Sequence, residues 1–274
     1  MQTKTIDFSS YSSFKLGPCV EVALLDDTTS DYKGYYLIGS CNNTLVGPNP
    51  PKLMTLSKKF DYIKEEDGVL YIGGATPSGK VASFCKKNDI GGFEFLSHLP
   101  GKLGGLVYMN AGLKEYEIFN NLLTITTPTG TKPKESIHYE YRKTDIDEPI
   151  LEASFALRKG YDSKMTEMFK KMRANQPSTP SAGSCFKNPV GDYAGRLIEA
   201  VGLKGVMRGA MCFSEEHANF LVNQGGGNFE DAIWLIQEAQ KRVFDKFVIW
   251  LECEIVVLDK RYMGSNSPLL APKN

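Results

Sequence analysis

Apolar positions in the first part of the chain come in short runs cut by glycine. Tyr35-Tyr36-Leu37-Ile38 reads as a buried strand that ends in the polar turn Gly39-Ser40-Cys41-Asn42-Asn43. Leu70-Tyr71-Ile72 reads as another, ending at Gly73-Gly74. From Ser78 to Lys87 the pattern changes: Val81, Phe84 and Cys85 recur at helical spacing. Leu151, Ala153, Phe155 and Leu157 alternate, which predicts a strand with one apolar face. Met165, Met168, Phe169 and Met172 then fall at i, i+3, i+4 and i+7, the core-facing side of a helix. Asp192 is placed to cap a helix carrying Leu197, Ile198 and Val201, with Gly202 as its stop. Asn228, with Asp231 three residues on, is placed to cap a helix carrying Ile233, Ile236 and Val243. The last strand is predicted over Ile249 to Leu258. Leu251, Cys253, Ile255 and Val257 share one face of it; Trp250, Glu252 and Glu254 share the other. Two carboxylates on a face that otherwise reads as buried need a reason.

Between these elements lies a glycine-dense stretch, His98-Leu99-Pro100-Gly101-Lys102-Leu103-Gly104-Gly105, followed by Met109-Asn110-Ala111-Gly112. So many glycines beside a proline imply special backbone angles or close approach to a ligand. The 274 residues suit two or three compact domains, and 42% hydrophobic residues supply a sizeable core. Lys+Arg and Asp+Glu balance at 32 each, which argues against a nucleic-acid binder relying on bulk positive charge. It leaves room for a local basic pocket. Six scattered cysteines read as reduced thiols. No apolar run has the length of a membrane span, and the N-terminus lacks an apolar signal core. Residues 261–274 lack periodicity and read as a tail without fixed structure.

Several familiar chemistries are absent. No G-x-G-x-x-G follows a strand, and there is neither a Walker loop nor a G-x-S-x-G elbow. Three histidines, His98, His138 and His217, do not build a metal site, and none is expected. Backbone N–H groups in the Gly39–Asn43 turn and the Pro100–Gly105 loop suit a pyrophosphate. From the residues alone, the chain is an α+β protein that binds an anionic ligand.

Longer segments carry more. They are SAGSCFKNP within Pro180–Pro189, GDYAGRLIEAVGLKG (Gly191–Gly205) and SEEHANFLVN (Ser214–Asn223). With them go Ser13-Phe14-Lys15-Leu16-Gly17, PGKLGG (Pro100–Gly105), MNAG (Met109–Gly112), Tyr141-Arg142 and Leu251-Glu252-Cys253-Glu254. Together, and in this order, they resemble the UDP-N-acetylenolpyruvoylglucosamine reductase family. The resemblance implies a flavin fold of the vanillyl-alcohol-oxidase type, with two α+β subdomains around FAD and a third for the UDP-sugar. We place these at 1–57 (completed by 248–260), 58–161 and 162–247.

The resemblance implies NADPH-dependent reduction of UDP-N-acetylglucosamine enolpyruvate to UDP-N-acetylmuramate, in peptidoglycan precursor synthesis. Ser184 is then the proton donor, Arg142 polarises the substrate carboxylate, and Glu254 faces that carboxyl group in protonated form. Gly39, Ser40, Cys41, Asn42, Pro100, Gly101, Gly104, Gly105, Asn110 and Ala111 fall to the FAD, bound non-covalently. Tyr141, Lys187 and Asn188 fall to the substrate; His217 and Asn219 read equally as structural. The implied protein is a cytoplasmic monomer, with no nucleic acid and no membrane insertion. The chain departs from the family at the pyrophosphate turn, where only Gly39 and Asn42 are kept, and at Val256, where an arginine is usual. Arg142 and Ser184 lie 42 positions apart, the spacing of the shorter branch, which lacks the extra tyrosine loop. Two alternatives stand beside this reading: another flavin oxidoreductase of the same fold class, or a non-catalytic UDP-sugar or flavin binder.

Overall fold

The computed structural model describes residues 1–28, 31–264 and 267–269. They form two compact units that interleave along the chain. The first is Met1–Lys4, Val22–Gly39 and Leu53–Ala174; the second is Thr5–Glu21, Ser40–Lys52 and the chain from Asn175 onward. The content is α+β throughout.

The first unit is built on a five-stranded antiparallel sheet. Its order is Gly130–Pro133, Leu122–Thr127, Glu152–Ala156, Val69–Gly73 and Ile63–Glu66. The alternation predicted around Leu151–Leu157 sets its two faces. Ala153 pairs with Ile72 on one side and Ile125 on the other, and all three are buried. The opposite face is polar: Ser154 and Thr124 hydroxyls meet at 2.6 Å, and the Tyr62 hydroxyl donates to the Glu152 carboxylate at 2.6 Å.

Three helices close the apolar face, with Val81 and Cys85 from Ser78–Lys87, Leu103 and Val107 from Leu103–Tyr108, and Phe169 from Ser163–Met172. The methionine stripe is only half buried; Phe169 alone goes fully inside, edge-on to Phe95 and Tyr116. That packing places residues 162–174 in the first unit, while the rest of the stretch 162–247 lies in the second. The strand predicted over 35–38 is short, Tyr36–Leu37, and runs parallel to Leu53–Leu56.

The second unit holds a four-stranded antiparallel sheet, Ser181–Ser184, Phe220–Asn223, Met211–Phe213 and Met207–Arg208 in that order. Its long helix is Phe229–Phe247, and the Asn228 side chain accepts from the Asp231 N–H at 2.9 Å as the cap predicted. Leu235, Ile236, Ala239 and Val243 from this helix pack with Phe186, Phe213 and Leu251. The helix Ala194–Ala200 starts differently from the prediction. Its cap is not Asp192: Asn188 Oδ1 accepts from the Ala194 N–H at 3.0 Å. The Asp192 carboxylate is taken by the Tyr193 N–H and by Arg196. Gly202, at φ 72°, stops this helix as its left-handed conformation requires.

The last strand is shorter than the alternation suggested. Only Val256–Leu258 forms a ladder, parallel to Thr44–Val46. The burial alternation nonetheless runs further back, with Leu251 and Ile255 inside and Glu252 outside. Part of the stretch 261–274 is structured: Leu269 is buried in this core, and the Gln240 amide donates to its carbonyl at 2.9 Å. Residues 265–266 and 270–274 lie outside the described residues. No helix among the described residues is long and apolar enough to cross a membrane, and no cluster there could hold a metal.

Candidate active site

In the first unit the loop Pro100–Gly105 is tied down along its length. The Gly101 carbonyl accepts from the Ser78 N–H, the Leu103 N–H reaches the Thr76 carbonyl, and the Gly104 N–H reaches the Gly74 carbonyl, each at 2.9 Å. Gly104 is glycine because its neighbours are backbone: a Cβ there would lie 3.2 Å from both the Gly74 and Ile150 carbonyl oxygens. Gly105 faces open space, with no atom within 4 Å of an added Cβ. Gly39 approaches this loop, its would-be Cβ 3.9 Å from the Cβ of Lys102. The structure thus brings Gly39 to the Pro100–Gly105 loop.

Asn110 follows, fully buried and at φ 44°, in the left-handed region that asparagine tolerates. Its amide NH2 donates to Glu117 Oε2 at 2.8 Å and to the Glu140 carbonyl at 3.2 Å. Both donors are committed, so the side chain cannot be turned over, and Oδ1 is left buried without a donor. Ala111 is fixed beside it by bonds from its N–H to Leu106 and to its carbonyl from Ile118. Arg142 packs on the same turn. Its guanidinium donates to the Gly112 carbonyl at 2.6 Å and the Asn110 carbonyl at 3.3 Å, with Glu117 Oε1 at 3.9 Å. It also lies over the ring of Tyr141, 4.8 Å from its centre, and that ring is half exposed.

In the second unit three segments converge by backbone bonds. Ser13 ties two of them: its hydroxyl donates to the Ser181 carbonyl at 2.7 Å, and its N–H reaches the Cys41 carbonyl at 3.4 Å. Cys41 is buried at φ 52°, while Ser40 and Asn42 are partly exposed. Beside Cys41, burial first and the thiol second push the Tyr11 phenol up to about 12. Asn43 reaches the third segment, its amide donating to the Glu254 carbonyl at 2.9 Å and its carbonyl accepting from the Val256 N–H at 2.9 Å.

Ser184 ends its strand opposite Phe220, half buried. The next residues pair with the 252–254 segment. The Glu254 N–H reaches the Cys185 carbonyl, and the Lys187 N–H reaches the Glu252 carbonyl, both at 2.9 Å. Ser184 therefore leads directly into the segment that pairs with Cys253 and Glu254. Lys187 Nζ forms a 2.6 Å ion pair with the exposed Glu252, which gives that carboxylate its reason. Asn188 is engaged by the Ala194 N–H.

Burial, then Cys253 and Glu254, hold Cys185 far above the ordinary thiol range; burial and Glu252 push Cys253 up to about 12; burial and Glu94 do the same for Cys85. Since the thiolate is the nucleophile, alkylation of the native protein at neutral pH is expected to modify exposed Cys19 first. Peptide mass spectrometry checks this; rapid labelling of Cys185 or Cys253 would contradict it.

Sequence reasoning missed the partners Glu117 and Ser13. Ser13 stands in a motif already noted, but nothing along the chain joins Glu117 to Arg142. Asn219, for which the sequence left a structural role equally open, bonds both backbone groups of Phe186 with its side chain, at 3.0 and 2.8 Å.

Residues 175–258 match the family model described as the C-terminal domain of UDP-N-acetylenolpyruvoylglucosamine reductase. The chain is 47% identical over 262 residues to the protein of that name from Helicobacter hepaticus, covering 94% of this chain and 100% of the relative. It is 45% identical over 258 residues to that of Campylobacter jejuni, covering 92% and 99%. The crystal structure of the Thermus caldophilus reductase superposes with a TM-score of 0.82 at 25% identity, over 94% of this chain and 99% of that one.

Proposed function

The chain belongs to the UDP-N-acetylenolpyruvoylglucosamine reductase family, and from that premise we propose that it reduces UDP-N-acetylglucosamine enolpyruvate to UDP-N-acetylmuramate with FAD and NADPH. The reaction supplies a peptidoglycan precursor. The absence of any long apolar helix among the described residues agrees with a cytoplasmic site of action. The single observation that carries the reading is 47% identity along nearly the whole of both chains.

The residues present fit a flavin dinucleotide. Asn110 Oδ1 is a buried acceptor that awaits an incoming N–H, and a flavin ring carries one. Gly105 presents bare backbone to open space, as close approach of a pyrophosphate needs. Gly39, Ser40, Cys41, Asn42, Pro100, Gly101, Gly104, Gly105, Asn110 and Ala111 would hold the group. Bound FAD supplies the relay of hydride from NADPH to the CH2 carbon of the enolpyruvyl group.

Reduction at that carbon leaves negative charge on its neighbour, spread into the carboxylate. Arg142 stabilises this charge with a guanidinium already oriented by the Asn110 and Gly112 carbonyls. Ser184 gives the proton to the charged carbon. A hydroxyl is a weak acid, yet it suffices against so strong a carbon base held close by. Glu254, its backbone fixed by Asn43 and Cys185, faces the same carboxyl group. Tyr141, Lys187 and Asn188 contact the sugar nucleotide.

The test is direct. The purified protein is expected to be yellow, to release all its flavin on acid precipitation, and to oxidise NADPH only when the enolpyruvyl sugar is present. A colourless protein leaves a flavin-free binder, and NADPH consumption without dependence on that sugar leaves another flavoenzyme. Arg142→Lys keeps the charge and loses the planar fork that reaches two carbonyls at once. We expect turnover to fall roughly tenfold or more, the effect of about one charge-assisted hydrogen bond, with flavin retained. Steady-state kinetics at saturating NADPH checks it; wild-type turnover would remove Arg142 from the chemistry.

A further inference from the structure

We infer that Asn219 is a positioning residue for the protonation step, acting through the strand that carries Ser184; the inference rests on the function proposed above. The ladder between Ser181–Ser184 and Phe220–Asn223 ends at the Ser184–Phe220 pair. One bond continues it, from the Cys185 N–H to the Asn219 carbonyl at 2.7 Å. Beyond that point the partner chain turns away. The Phe220 N–H bonds back to the His217 carbonyl at 2.9 Å, and the Asn219 N–H to the His217 ring at 3.2 Å. No backbone remains on this edge for Phe186, whose side chain is fully buried.

Asn219 supplies what is missing. Its Oδ1 accepts from the Phe186 N–H at 3.0 Å, and its Nδ2 donates to the Phe186 carbonyl at 2.8 Å. A carboxamide is a planar donor–acceptor pair like a peptide group, so one side chain adds a rung that the backbone does not. On the other edge Phe186 pairs with Cys253, flanked by the bonds from Glu254 N–H to Cys185 and from Lys187 N–H to Glu252. Cys185–Lys187 is thus held from both sides, and its register against Glu254 is fixed. Gly183 precedes Ser184 at φ 76°, a residue with wide conformational freedom. The direction of the Ser184 hydroxyl is therefore set from its C-terminal side, by the strand that Asn219 clamps. Asn219 itself is only 3% exposed; it works through Phe186.

The experiment compares wild type, Asn219→Leu and Asn219→Asp, alone and combined with Ser184→Ala, by stopped flow on the intact flavoprotein. Asn219→Leu removes both bonds at similar volume. Asn219→Asp keeps the acceptor and sets an oxygen against the Phe186 carbonyl. Reduction by NADPH is expected at the wild-type rate in both. Reoxidation by the enolpyruvyl sugar is expected to slow about tenfold in Asn219→Leu, because the segment that orients the Ser184 hydroxyl loses both side-chain bonds to Phe186 and the proton donor is misplaced. In the Ser184→Ala background the same change is expected to cost less than about twofold, since it acts through that hydroxyl. Hydrogen exchange in the peptide spanning 184–187 should quicken, while that of the helix Phe229–Phe247 stays unchanged.

Wild-type reoxidation in Asn219→Leu overturns the inference, as does an equal loss with and without Ser184, which marks a general structural role. Should the leucine variant fail to fold, the aspartate variant carries the same comparisons. A wild-type protein that NADPH reduces but the sugar does not reoxidise refutes the proposed function instead. The exchange measurement then decides alone whether Asn219 fixes this strand.

Discussion

Alanine at Ser184 is expected to slow turnover by about 10²–10⁴-fold, the usual worth of a general acid, while NADPH still bleaches the flavin at a near-normal rate. The two halves separate because only the second needs a proton on carbon. The fold should tolerate the change. Ser184 pairs with Phe220 through its backbone, and its hydroxyl makes no hydrogen bond among the described residues, so its loss strands no partner. Cysteine at this position should restore part of the rate, since a thiol is the stronger acid. Stopped-flow measurement of each half decides. If both halves slow together, Ser184 places the flavin or supports the fold. If neither slows, the proton comes from Glu254 or water.

Alanine at Gly74 is expected to cost on the order of 3 kcal/mol of stability and to strip much of the flavin. A Cβ there would lie 2.1 Å from the Ile150 carbonyl oxygen and 2.8 Å from Leu56 Cδ1. The backbone cannot simply yield, because the Gly74 N–H is bonded to the Leu151 carbonyl at 2.7 Å. The Gly74 carbonyl in turn accepts from the Gly104 N–H, so any shift passes into the loop assigned to the pyrophosphate. Gly79 is the internal control. It lies in the helix Ser78–Lys87 with open space where a Cβ would go, so alanine there should stabilise by roughly 0.5–1 kcal/mol. Thermal unfolding and flavin content after gel filtration measure both. A Gly74→Ala protein that melts with wild type and stays yellow would disprove the close-approach argument.

Local physics was legible in the sequence where it alone decides. The helices Ser78–Lys87 and Ser163–Met172 and the Asn228 cap need only spacing and side-chain type. So does the burial of Leu251 and Ile255. The motifs supplied the candidate site because each keeps its residue types along the chain. What stayed hidden depends on who meets whom. Asn188 rather than Asp192 meets the first N–H of its helix, and a plausible acceptor in sequence says nothing of which carboxylate an arginine will claim first. Glu252 looked like a charge on a buried face until Lys187 came across from another segment. The Asn219 amide finds its partner 33 residues away, at a point where a ladder runs out, and no periodicity marks that point. The domain lines drawn on the sequence returned 248–260 to the first part; the packed units interleave further, with Thr5–Glu21 and Ser40–Lys52 joining the chain from Asn175 onward.

The parallel pairing of Thr44–Val46 with Val256–Leu258 has a consequence for synthesis. Along the chain, 211 positions separate Asn43 from Glu254, whose contact sits at the edge of that pair. The early strand leaves the ribosome while nearly all of the chain that must meet it is still unmade. Closing so wide a loop costs entropy that no local contact offsets, so this pair forms only after the chain through Leu258 has been made. The first unit's sheet, by contrast, contains neighbours such as Ile63–Glu66 and Val69–Gly73 that can pair as they emerge. Until Val256–Leu258 arrives, Leu45 and Val46, both fully buried in the finished protein, lie on an unsatisfied strand edge. A chain that stops before Val256 keeps that edge open for good, and such edges recruit other chains. In this protein a strand made late shields one made early.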